Sequence, residues 1–239
     1  MRERLEYDVK IAPSLCDHSG KLGIPKAFSL FQDIASTHAE SLGLGYHDLL
    51  KRDLYWLTVK TKIIFGSRPS LSDTVTMRTW PEAPGKLRCN RSYELDCGGE
   101  TVITGRTEWA IINFRDNSLF RVSDFYPSDL VLLKNPVFQE PFARIPEVFG
   151  DFEPYYEYTV SSTDIDVGAH MNNVAYIRAI AGSFSCDEWD ALPKRSIELQ
   201  YRSPCFEGDR LVFSKHEAEN GLDIRIAKGD STLLLARMQ

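Results

Sequence analysis

The chain lacks three features that would settle its class at once: a long apolar run, a paired set of cysteines and a block of basic residues. No stretch approaches the roughly 18 uncharged apolar residues of a membrane span, and the opening Met1-Arg2-Glu3-Arg4-Leu5-Glu6-Tyr7 has no apolar signal core. Neither a membrane partner nor a secretory route is therefore expected. The five cysteines, Cys16, Cys89, Cys97, Cys186 and Cys205, are odd in number and form no Cys-x-x-Cys pair. They suggest neither a disulfide scaffold nor a zinc ribbon, and a reducing cytoplasm is the expected compartment. A net charge of -6 without a basic run argues against nucleic acid as a partner. What is present is 239 residues, 43% hydrophobic and 26% charged, enough for one large domain or two of about 120 residues, each with its own core.

Read in order, Leu5, Tyr7, Val9 and Ile11 alternate as one face of a half-buried strand. After the turn-rich Cys16-Asp17-His18-Ser19-Gly20-Lys21, the residues Ile24, Ala27, Phe28, Phe31, Ile34, Ala35 and His38 form a helical stripe, with Pro25 in the first turn. Leu42 to Gly45 ends that helix, and Tyr46 to Arg52 reads as a short second one. The period then changes to that of strands at Leu54 to Phe65, Asp73 to Trp80, Leu87 to Leu95 and Thr101 to Phe114. From Phe114 onward Pro127, Pro136, Pro141, Pro146 and Pro154 interrupt the rhythm, and aromatics in the same stretch argue against a disordered tether. This places a first domain at 1–125, a linker at 126–154 and a second domain at 155–239.

The second domain repeats the order of the first. Tyr155 to Val160 reads as a strand, Asp166 to about Phe184 as loop and helix, and Ser196 to Arg202, Arg210 to Glu217, Leu222 to Ala227 and Thr232 to Met238 as strands. Ile63, Phe65, Pro69, Asp73 and Val75 match Leu199, Tyr201, Cys205, Asp209 and Leu211 at a constant offset of 136, and Gly105-Arg106-Thr107-Glu108 echoes Ala236-Arg237-Met238-Gln239. Two copies of one domain, each a curled antiparallel sheet around a central helix, are expected.

Chemistry concentrates between Thr163 and Tyr176, a loop entering a helix. Val174, Ile177, Ile180 and Ala181 carry the apolar spacing, and Arg178 is the charged exception. Asp164 or Asp166 alone would be a helix cap, worth about 0.5 to 2 kcal/mol. Asp166 and His170 are four apart, however, and a helical turn would bring both to one side as a base and its partner. Backbone N–H groups at the helix start could hold the oxyanion of an attacked carbonyl. Spacing alone leaves capping and catalysis equally open.

The pattern Asp-x-Asp-x-x-x-His-x-Asn-Asn-x-x-Tyr, from Asp164 to Tyr176, resembles the hotdog-fold thioesterases, most closely those acting on acyl-acyl carrier protein (acyl-ACP). Ala35-Ser36-Thr37-His38-Ala39-x-x-Leu42-Gly43, Trp56 to Phe65 and Thr107-Glu108-Trp109 are similar to further segments of that family. The resemblance implies an α+β fold of two tandem hotdog domains, the first supplying the acyl-chain pocket and the second the catalytic groups. It places Asp166 and His170 in catalytic positions and Cys205 at the family's cysteine position. Two departures stand out: Gly168 replaces the asparagine of Asp-Val-Asn-x-His, and Pro204 replaces the glutamate of the Glu-Cys pair in plant relatives. The economical mechanism is hydrolysis by water with Asp166 as base or orienting carboxylate and His170 as its partner, without metal or other cofactor; attack by Asp166 through an anhydride is the alternative.

Other readings stand beside these. Cys205 reads more readily as a small buried hydrophobe, Asn172 and Asn173 fix the loop, His38 is a satisfied core histidine, and Glu207 is a turn residue. Phe28, Phe31, Ile34 and Ala35 would line an acyl slot or simply fill the core. The resemblance implies acyl-ACP as partner, docking on cations such as Arg88, Arg91, Lys194, Arg195 and Arg202. A homodimer is compatible with it. The rivals are an acyl-coenzyme A thioesterase, a hotdog enoyl hydratase, whose usual spacing is one residue wider, and a degenerate protein that binds acyl chains without cleaving them.

Overall fold

The computed structural model describes residues 3–127, 130, 132–133, 135–147 and 152–239. The chain divides into two compact units, Met1–Glu140 and Pro141–Gln239. In the first, β1 (Leu5–Lys10) leads through a short 3-10 turn to α1 (Ile24–Ser41) and α2 (Tyr46–Leu50), followed by β2 (Leu54–Phe65), β3 (Thr74–Pro81), β4 (Cys89–Cys97) and β5 (Glu100–Asn113). A two-residue β6 (Leu119–Phe120), unsignalled in the sequence, pairs with β5. The sheet order is β1-β3-β4-β5-β2, antiparallel between the neighbours β1/β3, β3/β4, β4/β5 and β5/β2.

The helical stripe of the first unit buries the seven residues that the spacing selects, Ile24, Ala27, Phe28, Phe31, Ile34, Ala35 and His38. Phe31 stacks on Tyr93 of β4 with ring centroids 4.9 Å apart. A Cβ on Gly105, which pairs with Tyr93 across the sheet, would stand 2.8 Å from the Phe31 ring, so the helix approaches this closely only over a glycine. His38 is fully buried, and its Nδ1 lies 3.0 Å from Arg91 Nη1. Since a guanidinium only donates, His38 accepts there, as a satisfied core histidine should.

The second unit contains β7 (Glu153–Thr159), a 3-10 turn at Ser162–Asp164, α3 (Asn173–Gly182), α4 (Cys186–Ala191), β8 (Ser196–Tyr201), β9 (Arg210–Ala218), β10 (Gly221–Lys228) and β11 (Ser231–Met238), with sheet order β8-β11-β10-β9-β7. Here the expected helix ends at Gly182, close to the expected Phe184, and a second short helix, not expected from the sequence, follows it. Ser183 closes α3, and Ser185 with Glu188 forms a capping box that starts α4, a Ser-x-x-Glu signal legible in the letters. β7 begins at Glu153, earlier than expected; it tolerates Pro154 because it lies at the sheet edge, where a missing N–H breaks no inner ladder.

Of the expected linker, 128–129, 131, 134 and 148–151 lie outside the described residues. Within the rest, Asn135 O accepts from Trp80 Nε1 at 3.2 Å and Val137 N donates to Ser92 Oγ at 3.1 Å in the first unit. In the second, Ala143 N donates to Glu198 Oε2 at 2.9 Å, and Ala143 O accepts from Gln200 Nε2 at 2.6 Å. Among the described residues no helix is long and apolar enough to cross a membrane.

Candidate active site

Asp166 and His170 meet across a closed turn, not along a helix, because α3 starts only at Asn173. Asn172 N donates to Asp164 O at 2.8 Å, Ile165 and Met171 form an antiparallel bridge, and Asp166 N donates to His170 O at 3.1 Å. Ala169 N then closes the tip on Asp166 O at 2.9 Å. Ala169 adopts φ 60°, left-handed backbone that a residue with a Cβ enters at a cost of about 1 to 2 kcal/mol.

The turn determines what each side chain can do. Asp166 Oδ1 accepts from Gly168 N at 2.8 Å and Oδ2 from Asn172 Nδ2 at 3.1 Å. Asn172 Oδ1 meanwhile accepts from Val174 N at 2.8 Å, so a single amide caps α3 and holds the carboxylate. His170 Nδ1 is 3.3 Å from the Met171 carbonyl and 4.0 Å from Asp166 Oδ1. A carbonyl only accepts, so in the neutral ring that contact assigns the proton to Nδ1 and leaves the lone pair on Nε2. Gly168 lies between the two reactive atoms: a Cβ built on it would be 3.0 Å from His170 Nε2 and 3.1 Å from Asp166 Oδ1. Both acceptors therefore border the side of Gly168 that its missing side chain leaves open.

Asp164 anchors the turn from beneath. Its side chain is 1% exposed and accepts from Tyr158 Oη at 2.7 Å, Ser161 N at 2.9 Å, Ser161 Oγ at 2.8 Å and Arg178 Nη2 at 2.5 Å. Burial alone would raise its pKa, but these donors outweigh it and hold the carboxyl below the ordinary range. Arg178, the charged exception in the apolar spacing, is thus the clamp between α3 and the turn. Ser161 and Asp164 form a capping box on the 3-10 turn, so Asp164 caps this turn and not the start of α3.

Cys205 lies behind the turn. Its carbonyl accepts from Met171 N at 2.9 Å, and its fully buried Sγ meets Tyr176 Oη at 3.1 Å and Met171 Sδ at 3.5 Å rather than Asp166 or His170. Burial pushes the thiol pKa up, which disfavours the thiolate that a nucleophile needs. Tyr201 Oη donates to Asn173 O at 3.2 Å and packs edge-on against Tyr176, with centroids 5.8 Å apart, so β8 also fixes the start of α3. Of the backbone N–H groups at the start of α3, that of Val174 is occupied by Asn172. The amides of Val167 and His170 have no acceptor among the described residues.

Residues 3–128 match the family profile of the acyl-ACP thioesterase N-terminal domain, and residues 153–233 that of the C-terminal domain. The chain is 27% identical to a chloroplastic acyl-[acyl-carrier-protein] hydrolase of Cuphea viscosissima over 234 residues, covering 86% of this chain and 57% of that protein. It is also 27% identical to a chloroplastic oleoyl-acyl carrier protein thioesterase of Arabidopsis thaliana, covering 76% of this chain and 54% of that one. It therefore spans little more than half the length of these relatives. The crystal structure of an acyl-ACP thioesterase from Bacteroides thetaiotaomicron superposes with a TM-score of 0.87 at 22% identity, covering 98% of this chain and 96% of that one. A 12:0-ACP thioesterase from Umbellularia californica gives 0.85 at 20% identity, covering 100% and 97%. The fold is the double hotdog, and the chain belongs to the acyl-ACP thioesterase family.

Proposed function

We propose that the protein hydrolyses acyl-ACP and releases a free fatty acid, with Asp166 and His170 as its catalytic residues. The observation that carries this reading is that Asp166 Oδ1 and His170 Nε2 border the same open side of Gly168, where one water could be held and deprotonated. The water oxygen bonds to the thioester carbon as its proton passes to Asp166. The amides of Val167 and His170 would receive the developing oxyanion, and the carbon–sulfur bond then breaks, the leaving thiolate taking up the proton that Asp166 holds. Cys205 acts in this scheme as a packing residue behind Met171. The acyl carrier protein is the proposed partner and the cytoplasm the proposed compartment, in keeping with five free cysteines.

Thiol release from a panel of acyl-ACPs and acyl-coenzyme A esters tests this. Wild type should turn over acyl-ACP faster than the coenzyme A ester, His170→Ala should lose at least about a hundredfold in kcat, and Cys205→Ala should stay within about threefold. Binding of acyl-ACP without thiol release would replace the hydrolase with an acyl-binding protein, and a preference for coenzyme A esters would move the substrate.

A further inference from the structure

The first unit contains the same turn with different side chains. Asp17 N donates to Lys21 O at 2.9 Å, Gly20 N to Asp17 O at 3.0 Å, Cys16 bridges Leu22, and Gly23 N donates to Leu15 O at 2.9 Å. These repeat the bonds of Asp166, His170, Ala169, Ile165, Met171 and Asn172 one for one. Leu22 N reaches Pro69 O at 2.7 Å as Met171 N reaches Cys205 O, and Ser19 N donates to Asp17 Oδ1 at 3.0 Å as Gly168 N does to Asp166 Oδ1. Asp17 is thus the counterpart of Asp166, Lys21 of His170, Gly23 of Asn172 and Arg68 of Pro204.

The second carboxylate oxygen is held differently in the two turns. In the first unit Arg68 pairs with Asp17 Oδ2. In the second the arginine position is Pro204, which has no donor, and the cap residue Asn172, where the first unit has Gly23, supplies the hydrogen bond to Asp166 Oδ2. A guanidinium neutralises the carboxylate it holds; a primary amide orients it and leaves its charge available.

We propose that Asn172 is the positioning residue of the catalytic carboxylate, replacing an ion pair with a neutral donor, while Gly168 keeps the face shared by Asp166 and His170 open. This rests on the hydrolase reading above. Asn172 acts through Asp166 and does not touch the substrate. The other charged groups around the turn are His170 itself, the Asp164–Arg178 pair beneath it, and the Asp209–Lys228 pair that acts on the adjacent Cys205 thiol.

Asn172→Asp and Asn172→Ser both keep a good N-cap, so neither removes the start of α3. Asn172→Asp sets a carboxylate against Asp166. The acidic limb of its kcat/KM profile should move up by about one pH unit, and the Asp166 carboxyl resonance followed by carbon NMR should titrate higher by a similar amount. Asn172→Ser loses the reach to Asp166 and should lower kcat roughly tenfold with KM within about twofold. A role confined to capping would leave all three readouts at wild-type values, and that result would overturn the proposal. If wild type releases no thiol the hydrolase reading fails by itself, while the carboxyl titration still decides whether Asn172 governs Asp166.

Discussion

The two turns, Asp17–Lys21 and Asp166–His170, share a backbone and differ in chemistry. Each closes through the same set of main-chain hydrogen bonds and each places an aspartate at its first corner. One aspartate is held by Arg68 and Ser19, the other by Asn172 beside a histidine. The fold supplies the turn twice, and a few side chains decide which copy can work. The tip shows the same division. Gly20 takes φ 72° without penalty, whereas Ala169 takes φ 60° with one, so the strain sits in the copy that carries the candidate site.

The comparison breaks most sharply if the arginine is moved. Pro204→Arg should set a guanidinium against Asp166 as Arg68 is set against Asp17, and thiol release should fall by at least about a hundredfold while circular dichroism and melting temperature stay near wild type. Unchanged turnover would mean that the two positions are not equivalent.

Next in size is the anchor. Asp164→Asn weakens a carboxylate that accepts four hydrogen bonds, and should cost about 2 to 3 kcal/mol in denaturant unfolding. Because its folded pKa is depressed, the stabilisation from Asp164 is complete above the ordinary carboxylate range and is lost as pH falls through the folded value. The variant should therefore lose less stability on acidification than wild type does. Smallest is Ala169→Gly, which makes the second tip like the first. Relief of backbone strain and the greater entropy of the unfolded chain oppose each other, leaving a gain of no more than about 1 kcal/mol, read as a small rise in melting temperature.

Much of this was legible in the letters. The stripe from Ile24 to His38 is buried residue for residue, and the offset of 136 holds through β3 and β9, which begin at Thr74 and Arg210. It falls to 131 at Arg106 and Arg237 because residues 82–88 join β3 to β4 while only 219–220 join β9 to β10. The partner of that arginine also changed, from Glu82 to the cross-strand Asp223, a swap that periodicity cannot reveal. Asp166 and His170 were found by their spacing but for the wrong geometric reason, since four residues apart suits a helical turn and a closed loop equally well. The copy at Asp17 was missed because main-chain bonds build it, and its flanking letters, Lys21 and Gly23, share nothing with His170 and Asn172. Asp164 stood in plain sight as half of a capping box, but its pairing with Arg178 appears only once α3 is placed.

The most direct test of the claim that one turn works and the other only holds the fold is steady-state thiol release from acyl-ACP by purified, folded Asp166→Asn and Asp17→Asn. The account predicts a loss of about a thousandfold or more for Asp166→Asn and turnover within about threefold of wild type for Asp17→Asn. Equal losses in the two variants, or a fully active Asp166→Asn, would contradict it.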